Sequence, residues 1–308
     1  MNQVPRHPSR SEATGRSPLP VVVGNDGSLW GQAALRWAAE HAWRTGAVLD
    51  VWLWDRMSDV PDTVPRNGGL NYVTSSLPML RVRVHESGPD PVRDLETAGR
   101  ASGLVVVGYR GHSASSFTLG GNVLPLVRRA TCDTVVVRGR PSAVRGDNRR
   151  VTALISGGED DDLVVVRAAA MALDHRAALR VVHALPLPMN RDALAADHQF
   201  VLDRAARLLE KLDRRPIHTV VLLHGQPHEA VARCTDSDLL VVGAGEQAPR
   251  TGRCGAITRT ALHQAPCPVL VVHRPHVPEP RQETAGRVER PGATVLGPAP
   301  RTPVDASR

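Results

Sequence analysis

Residues 103–108 read Gly-Leu-Val-Val-Val-Gly, and residues 238–243 read Asp-Leu-Leu-Val-Val-Gly. Each is a solid apolar run closed by glycine, the pattern of a parallel strand buried on both faces. The surroundings match as well. Upstream stand the turns Gly88-Pro89-Asp90-Pro91 and Gly225-Gln226-Pro227, each opening a helix. Further back come the strands Val48 to Trp54 and Leu179 to Leu185, each preceded by an alanine-rich helix and a glycine turn. The first strands are Val21-Val22-Val23 and Val151 to Ile155. Downstream, Ala130-Thr131-Cys132-Asp133-Thr134-Val135-Val136-Val137 faces Ala265-Pro266-Cys267-Pro268-Val269-Leu270-Val271-Val272. That is an internal repeat of about 130 residues. Its alternation of strand and helix predicts an α/β fold, two doubly wound parallel sheets in tandem.

The domain boundaries follow from composition. Residues 1–18 and 275–308 are rich in Pro, Arg, Gly and Thr, without apolar periodicity, and read as disordered tails. Residues 19–138 and 151–274 are the two units, and the polar stretch 139–150 is a linker. The polar N-terminus carries no apolar segment of a signal peptide, and no run is long enough to span a bilayer. Four cysteines without metal spacing, Cys132, Cys234, Cys254 and Cys267, agree with a reduced, cytoplasmic protein. The net charge of +7 raises a nucleic-acid reading, since basic patches attract phosphate backbones. Against it, the positive charge is arginine spread along the whole chain, and the five tryptophans cluster between Trp30 and Trp54. No basic run is interleaved with aromatics, so neither nucleic acid nor membrane is expected as a partner.

In doubly wound sheets ligands sit outside the carboxyl ends of the strands, where the winding reverses. The loops after the first and fourth strands of each unit are therefore the places where chemistry is expected. In the first unit the first loop is Gly24-Asn25-Asp26-Gly27-Ser28. Asp26 suits a ribose hydroxyl or a helix cap, and Ser28 is an alternative cap. The loop after the fourth strand starts at Val107-Gly108-Tyr109-Arg110-Gly111 and ends, after nine intervening residues, at Gly121-Asn122-Val123-Leu124. A helix is expected near Pro125, and its exposed N–H groups and dipole would favour phosphate oxygens.

These residues resemble the universal stress protein family, specifically its tandem-domain members, over residues 19–138 and 151–274. The family's ATP signature, Gly-x2-Gly-x9-Gly followed by Ser or Thr, is matched at Gly108, Gly111 and Gly121, with Asn122 in place of the hydroxyl residue. Asp26 matches the family's first-loop aspartate, and the Ala-x-Cys ending of each unit is also typical. The resemblance implies Rossmann-like sheets of strand order 3-2-1-4-5, with intrachain pairing of the units or a homodimer through the last strands. It implies a stress-response regulator that binds ATP or a related adenine nucleotide, with or without Mg2+, in the N-terminal unit only. The contact set it implies is Gly24, Asn25, Asp26, Val107, Gly108, Arg110, Gly111, Gly121, Asn122, Val123 and Leu124. Members that bind ATP usually carry Ser or Thr where Asn122 and Leu124 stand. Losing a charge-assisted hydrogen bond costs about 1.5–3 kcal/mol, so binding is expected to be weak. The alternative is a scaffold that binds no nucleotide and acts through dimerisation and protein partners.

Two further departures shape the expectations. Between Arg56 and Leu80 the family places a long helix, whereas here Pro61, Pro65, Gly68, Gly69 and Pro78 interrupt any helical pattern. The second unit keeps that helix around Asp192 to Leu212. In its first loop, Glu159 or Asp160 would have to substitute for Asp26, and Glu246 puts negative charge where phosphate would lie, unfavourable unless a metal or Arg250 and Arg253 neutralise it. The second unit is thus a degenerate site. Cys254, in a glycine loop with arginines, is a candidate for a lowered thiol pKa. His183 reads as a packing or edge residue. No nucleophile, base and oxyanion donors assemble, and an enzyme is not expected.

Overall fold

Among the described residues of the computed structural model (17–54, 68–110, 119–185, 191–245 and 254–274), ten strands form one sheet. The first unit supplies β1 (Val21–Asn25), α1 (Leu29–Thr45), β2 (Leu49–Leu53), α2 (Gly68–Ser76) and β3 (Val82–Glu86). It continues with α3 (Pro91–Gly99), β4 (Leu104–Gly108), α4 (Val123–Arg129) and β5 (Thr134–Val137). The expected linker folds as the short helix α5 (Pro141–Arg145), with Ala143 buried. The second unit follows with β6 (Arg150–Ile155), α6 (Asp161–His175), β7 (Ala178–Leu185), α7 (Arg191–Glu210) and β8 (His218–His224). It ends with α8 (Pro227–Ala232), a 3-10 turn (Cys234–Asp236), β9 (Leu239–Gly243), α9 (Ala256–Gln264) and β10 (Val269–Val272).

The strand order is β3-β2-β1-β4-β5-β10-β9-β6-β7-β8. Each unit is therefore wound 3-2-1-4-5, with all its strands parallel. The units join where β5 and β10 pair antiparallel, Val136 facing Val269 and Val135 facing Leu270. Of the two implied arrangements, the chain adopts intrachain pairing. The join also sends the carboxyl ends of the two strand sets to opposite ends of the sheet. The apolar strand residues are buried on both faces. One core holds Val23, Leu35, Val106, Ile155 and Leu209. The other holds Val22, Val105, Leu126, Leu240 and Leu262.

Side chains tie the units together beside the strand pair. Asp133, 5% exposed, receives Arg167 of α6 at 2.6 Å and the backbone N–H of His273 at 3.1 Å. His41 of α1 and His175 of α6 stack and share a 3.1 Å hydrogen bond, and the Arg44 guanidinium meets Nδ1 of His175 at 3.1 Å. Trp37 packs against both rings.

The expectation of no helix between Arg56 and Leu80 is corrected in part. Residues 55–67 lie outside the described ones, but α2 occupies Gly68–Ser76. Val73 is fully buried, and Gly69 lets α2 approach α1 so closely that a Cβ there would lie 2.9 Å from Leu35. Outside the described residues also fall the C-terminal tail and all of the N-terminal tail except 17–18.

Candidate functional site

The turn after β1 is held by its own side chains. Asn25 is 5% exposed, and its Oδ1 accepts from Gly27 N–H at 3.0 Å. Asp26 Oδ1 accepts from the backbone N–H of Ser28 at 3.1 Å and from its hydroxyl at 2.6 Å. Ser28 is the N-cap of α1, its Oγ accepting from Gly31 N–H at 3.0 Å. One carboxylate oxygen of Asp26 thus orients the cap residue, and of the two expected caps it is Ser28 that takes the position. Gly27, at φ +76°, supplies the left-handed corner. Gly31, which the sequence reading passed over, leaves room for Asp26, since a Cβ there would lie 2.6 Å from Asp26 Oδ1.

The loop after β4 meets this turn. The Ser28 hydroxyl is 3.3 Å from the Arg110 carbonyl, and Gly120 N–H donates to the Tyr109 carbonyl at 2.9 Å, closing the loop at its base. Gly108 is required by packing, because a Cβ would stand 2.5 Å from the Trp30 backbone. Gly121 is different. It is exposed, its φ is not left-handed, and a Cβ there would meet no atom within 4 Å. Gly111 lies outside the described residues.

The remaining expected residues divide by burial. Gly24, Val107 and Val123 are buried and support the site from below. Leu124 is half-buried and packs into the core, which explains an apolar residue at that position. Asn122 is exposed at the N-cap position of α4, and its side chain makes no capping bond. The helix starts at Val123, two residues ahead of the expected Pro125.

Aromatic rings and arginines crowd the crevice in a way the motif did not show. The Trp54 ring lies over Gly24, 2.8 Å from where a Cβ would be. Trp30 meets Tyr109 edge-on, with ring centroids 5.0 Å apart. The Arg110 guanidinium lies 4.4 Å from the Tyr109 centroid and that of Arg138 4.9 Å from it. Arg138 follows β5, is 9% exposed, and donates to the Leu262 carbonyl in α9 of the other unit. Burial, and the like charge of Arg110, hold its guanidinium below the ordinary arginine range. No local motif marks Arg138. Only the sheet order brings it beside Tyr109.

In the second unit the acidic turn is already paired. Arg274 binds Asp160 through Nε and Glu159 at 3.0 Å through Nη2, across the carboxyl end of β6. Neither acid repeats the role of Asp26. Instead Asp161, 7% exposed, accepts the N–H groups of Ser156 and Gly157 at 3.0 and 2.7 Å. Glu246, Arg250 and Arg253 lie outside the described residues. His183 is buried, its Nδ1 3.0 Å from the Ile155 carbonyl and its Nε2 2.6 Å from His198 Nδ1, as a packing residue in β7, which is not an edge strand.

The expectation for Cys254 is corrected. Burial outweighs the nearby arginines and pushes its thiol above the ordinary cysteine range. The Cys132 and Cys234 thiols are pushed up to about 11 by burial, and that of Cys267 higher still by the same cause. Among the described residues no group of three His, Cys, Asp or Glu is placed to hold a metal.

Comparison with known proteins bears on the fold and on the second unit. The sequence model described as the Universal stress protein family matches residues 147–273, the second unit. A universal stress protein of Mycobacterium tuberculosis (strain H37Rv) is 28% identical over 290 residues, covering 82% of this chain and 97% of the relative. A universal stress protein of Mycobacterium bovis matches to the same extent. Among solved structures, a functionally unknown protein from Pseudomonas aeruginosa aligns with TM-score 0.62 at 16% identity, covering 84% of this chain and 93% of that one. A universal stress protein from Archaeoglobus fulgidus aligns with TM-score 0.59 at 16% identity, covering 83% and 98%. At those identities the structures show a shared fold.

Proposed function

We propose, on the premise that this chain carries a universal stress protein domain at residues 147–273 and shares its tandem fold with such proteins, that it acts in the stress response by binding an adenine nucleotide in its first unit. The bound species is ATP or a relative, with or without Mg2+, and the compartment is the cytoplasm. Gly121 carries the reading. Nothing among the described residues demands glycine there, neither backbone conformation nor packing, whereas a ligand lying against the turn ahead of α4 does demand it. Asp26 and Arg110 flank the same crevice, brought together by the Ser28 contact. Asn122 is exposed and its amide can donate to a phosphate oxygen. Hydrolysis is expected to be slow, since among the described residues no side chain of the crevice is placed to activate water.

Titration calorimetry with ATP tests it. Wild-type protein is expected to bind saturably below millimolar concentration. Gly121→Val is expected to keep the fold, because the space is open, and to lose at least tenfold in affinity. Absence of saturable binding by the wild type, or equal binding by the variant, refutes the reading.

One observation favours a second reading. The Trp54 ring packed on Gly24 fills part of the crevice from the chain itself. In that reading the first unit is a closed scaffold acting through protein partners. Saturable ATP binding that Gly121→Val abolishes eliminates it.

A further inference from the structure

Two arginines share one aromatic ring at the carboxyl ends of β4 and β5, and among the described residues no carboxylate accompanies them. Arg110 and Arg138 both lie against Tyr109, at 4.4 and 4.9 Å from its centroid. Among the described residues neither guanidinium forms an ion pair, and the Nε of each is buried without a hydrogen-bond acceptor. Arg138 spends one donor on the Leu262 carbonyl, in the last turn of α9. Arg110 makes no side-chain hydrogen bond that competes with a ligand.

Such an arrangement is electrostatically incomplete. Buried charges are normally paired, and two like charges on one ring repel each other. Cation–π contact with Tyr109 offsets part of the cost but neutralises nothing. Acidic residues elsewhere in the molecule are well supplied with arginines, as Asp50 is by Arg83, Asp133 by Arg167 and Asp160 by Arg274. This pair stands apart from that pattern, and it stands where ligands of doubly wound sheets bind. The acidic loop residue Glu246 follows β9, whose carboxyl end lies at the opposite end of the sheet.

We propose that Arg110 and Arg138, which both lie against Tyr109, form a two-arginine clamp for a phosphoryl group. Guanidinium forks match tetrahedral phosphoryl oxygens, and two forks hold one group from two directions. Within the adenine-nucleotide reading, on which it rests for the identity of the carrier, the clamp takes the polyphosphate end. It replaces the hydroxyl donors absent at Asn122 and Leu124. The clamp also spans the two units: Arg138 is held by α9, so the second unit helps to complete the site of the first.

The test measures affinity for adenosine, AMP, ADP and ATP, and the thermal shift with inorganic phosphate against chloride at equal ionic strength. Wild-type protein is expected to prefer ATP over adenosine at least tenfold. Arg138→Gln, which removes the charge, is expected to erase that preference while leaving adenosine affinity unchanged. Arg110→Gln does the same without touching the tie to α9, and decides the matter should Arg138→Gln fail to fold. Arg138→Lys restores the charge without the fork and is expected to recover only part of the preference. A preference for ATP undiminished in both Gln variants overturns the clamp and leaves nucleotide binding standing. Should no nucleoside or nucleotide bind, the nucleotide reading falls and phosphate alone decides. Stabilisation by phosphate that both Gln variants lose supports the clamp, and its absence in the wild type overturns it.

Discussion

Single residues in this crevice serve different masters even when they belong to one motif. Gly108 and Gly121 occupy equivalent places in a glycine pattern, yet packing against Trp30 accounts for the first and not for the second. The sequence shows the spacing but not which glycine the fold itself consumes, since that depends on the close approach of α1 to the end of β4. Asp26 was legible as a loop acid, and Ser28 as an alternative cap. That the two act together became visible only with the 2.6 Å contact between them. Arg138 and Trp54 were not legible at all, because their neighbours come from distant segments. At this scale the cap gives a direct prediction. Ser28→Ala removes an acceptor for Gly31 N–H, and with it the hydroxyl that donates to Asp26, while the backbone N–H bond to Asp26 remains. Stability measured by urea denaturation is expected to fall by about 1 kcal/mol, the usual worth of an N-cap. An unchanged midpoint would show that the turn holds without it.

Among elements, α1 and α6 make the contact most exposed to solution conditions. The Arg44 guanidinium donates to Nδ1 of His175, so His175 carries its proton on Nε2 and donates to Nδ1 of His41. Every acceptor is used, and a further proton would sit beside Arg44. Burial first, then the charges of His41 and Arg44, hold His175 well below the ordinary 6.5. Above pH 6.5 the residue is neutral in folded and unfolded chains alike. As pH falls below that value the unfolded chain takes up a proton that the folded chain refuses. Stability is therefore expected to decline on acidification from pH 7 to 5.5, by at most about 1.4 kcal/mol per pH unit for this residue. His183, lowered mainly by burial, adds in the same direction. Chemical denaturation across that range, with His175→Gln as control, checks it. A wild-type slope no steeper than that of the variant would exclude the mechanism. The helix pair itself was partly legible: α1 and α6 follow from their alanine runs, but α2 did not, because nine residues between prolines and glycines show no sustained period.

For the whole molecule, the repeat was readable in its strands and the strand order of each unit followed the resemblance, while the join was left between two arrangements. Local pattern cannot tell an intrachain from an interchain partner for an apolar strand. The settled arrangement, a β5–β10 pair flanked by Asp133 and by the histidines, predicts common fate. All five tryptophans lie in the first unit, between Trp30 and Trp54, so their fluorescence reports that unit alone. Far-ultraviolet circular dichroism reports both. The two denaturation curves are expected to coincide, as one cooperative transition requires. Separated midpoints would mean that the units melt independently. The pairs across the join also echo each other, Arg138 to the Leu262 carbonyl and His273 to the Val127 carbonyl at 2.8 Å.

The same join has a cost in time. On the ribosome, β5 is made about 130 residues before β10, and at ordinary elongation rates that gap lasts on the order of ten seconds. Throughout it the nascent first unit presents Thr134-Val135-Val136-Val137 as a bare apolar edge. Such an edge accepts any strand, including that of a neighbouring nascent chain. A chain truncated in its second half keeps the edge permanently, and is a candidate for self-association or for capture by chaperones. Translation to the last strand is what closes the sheet.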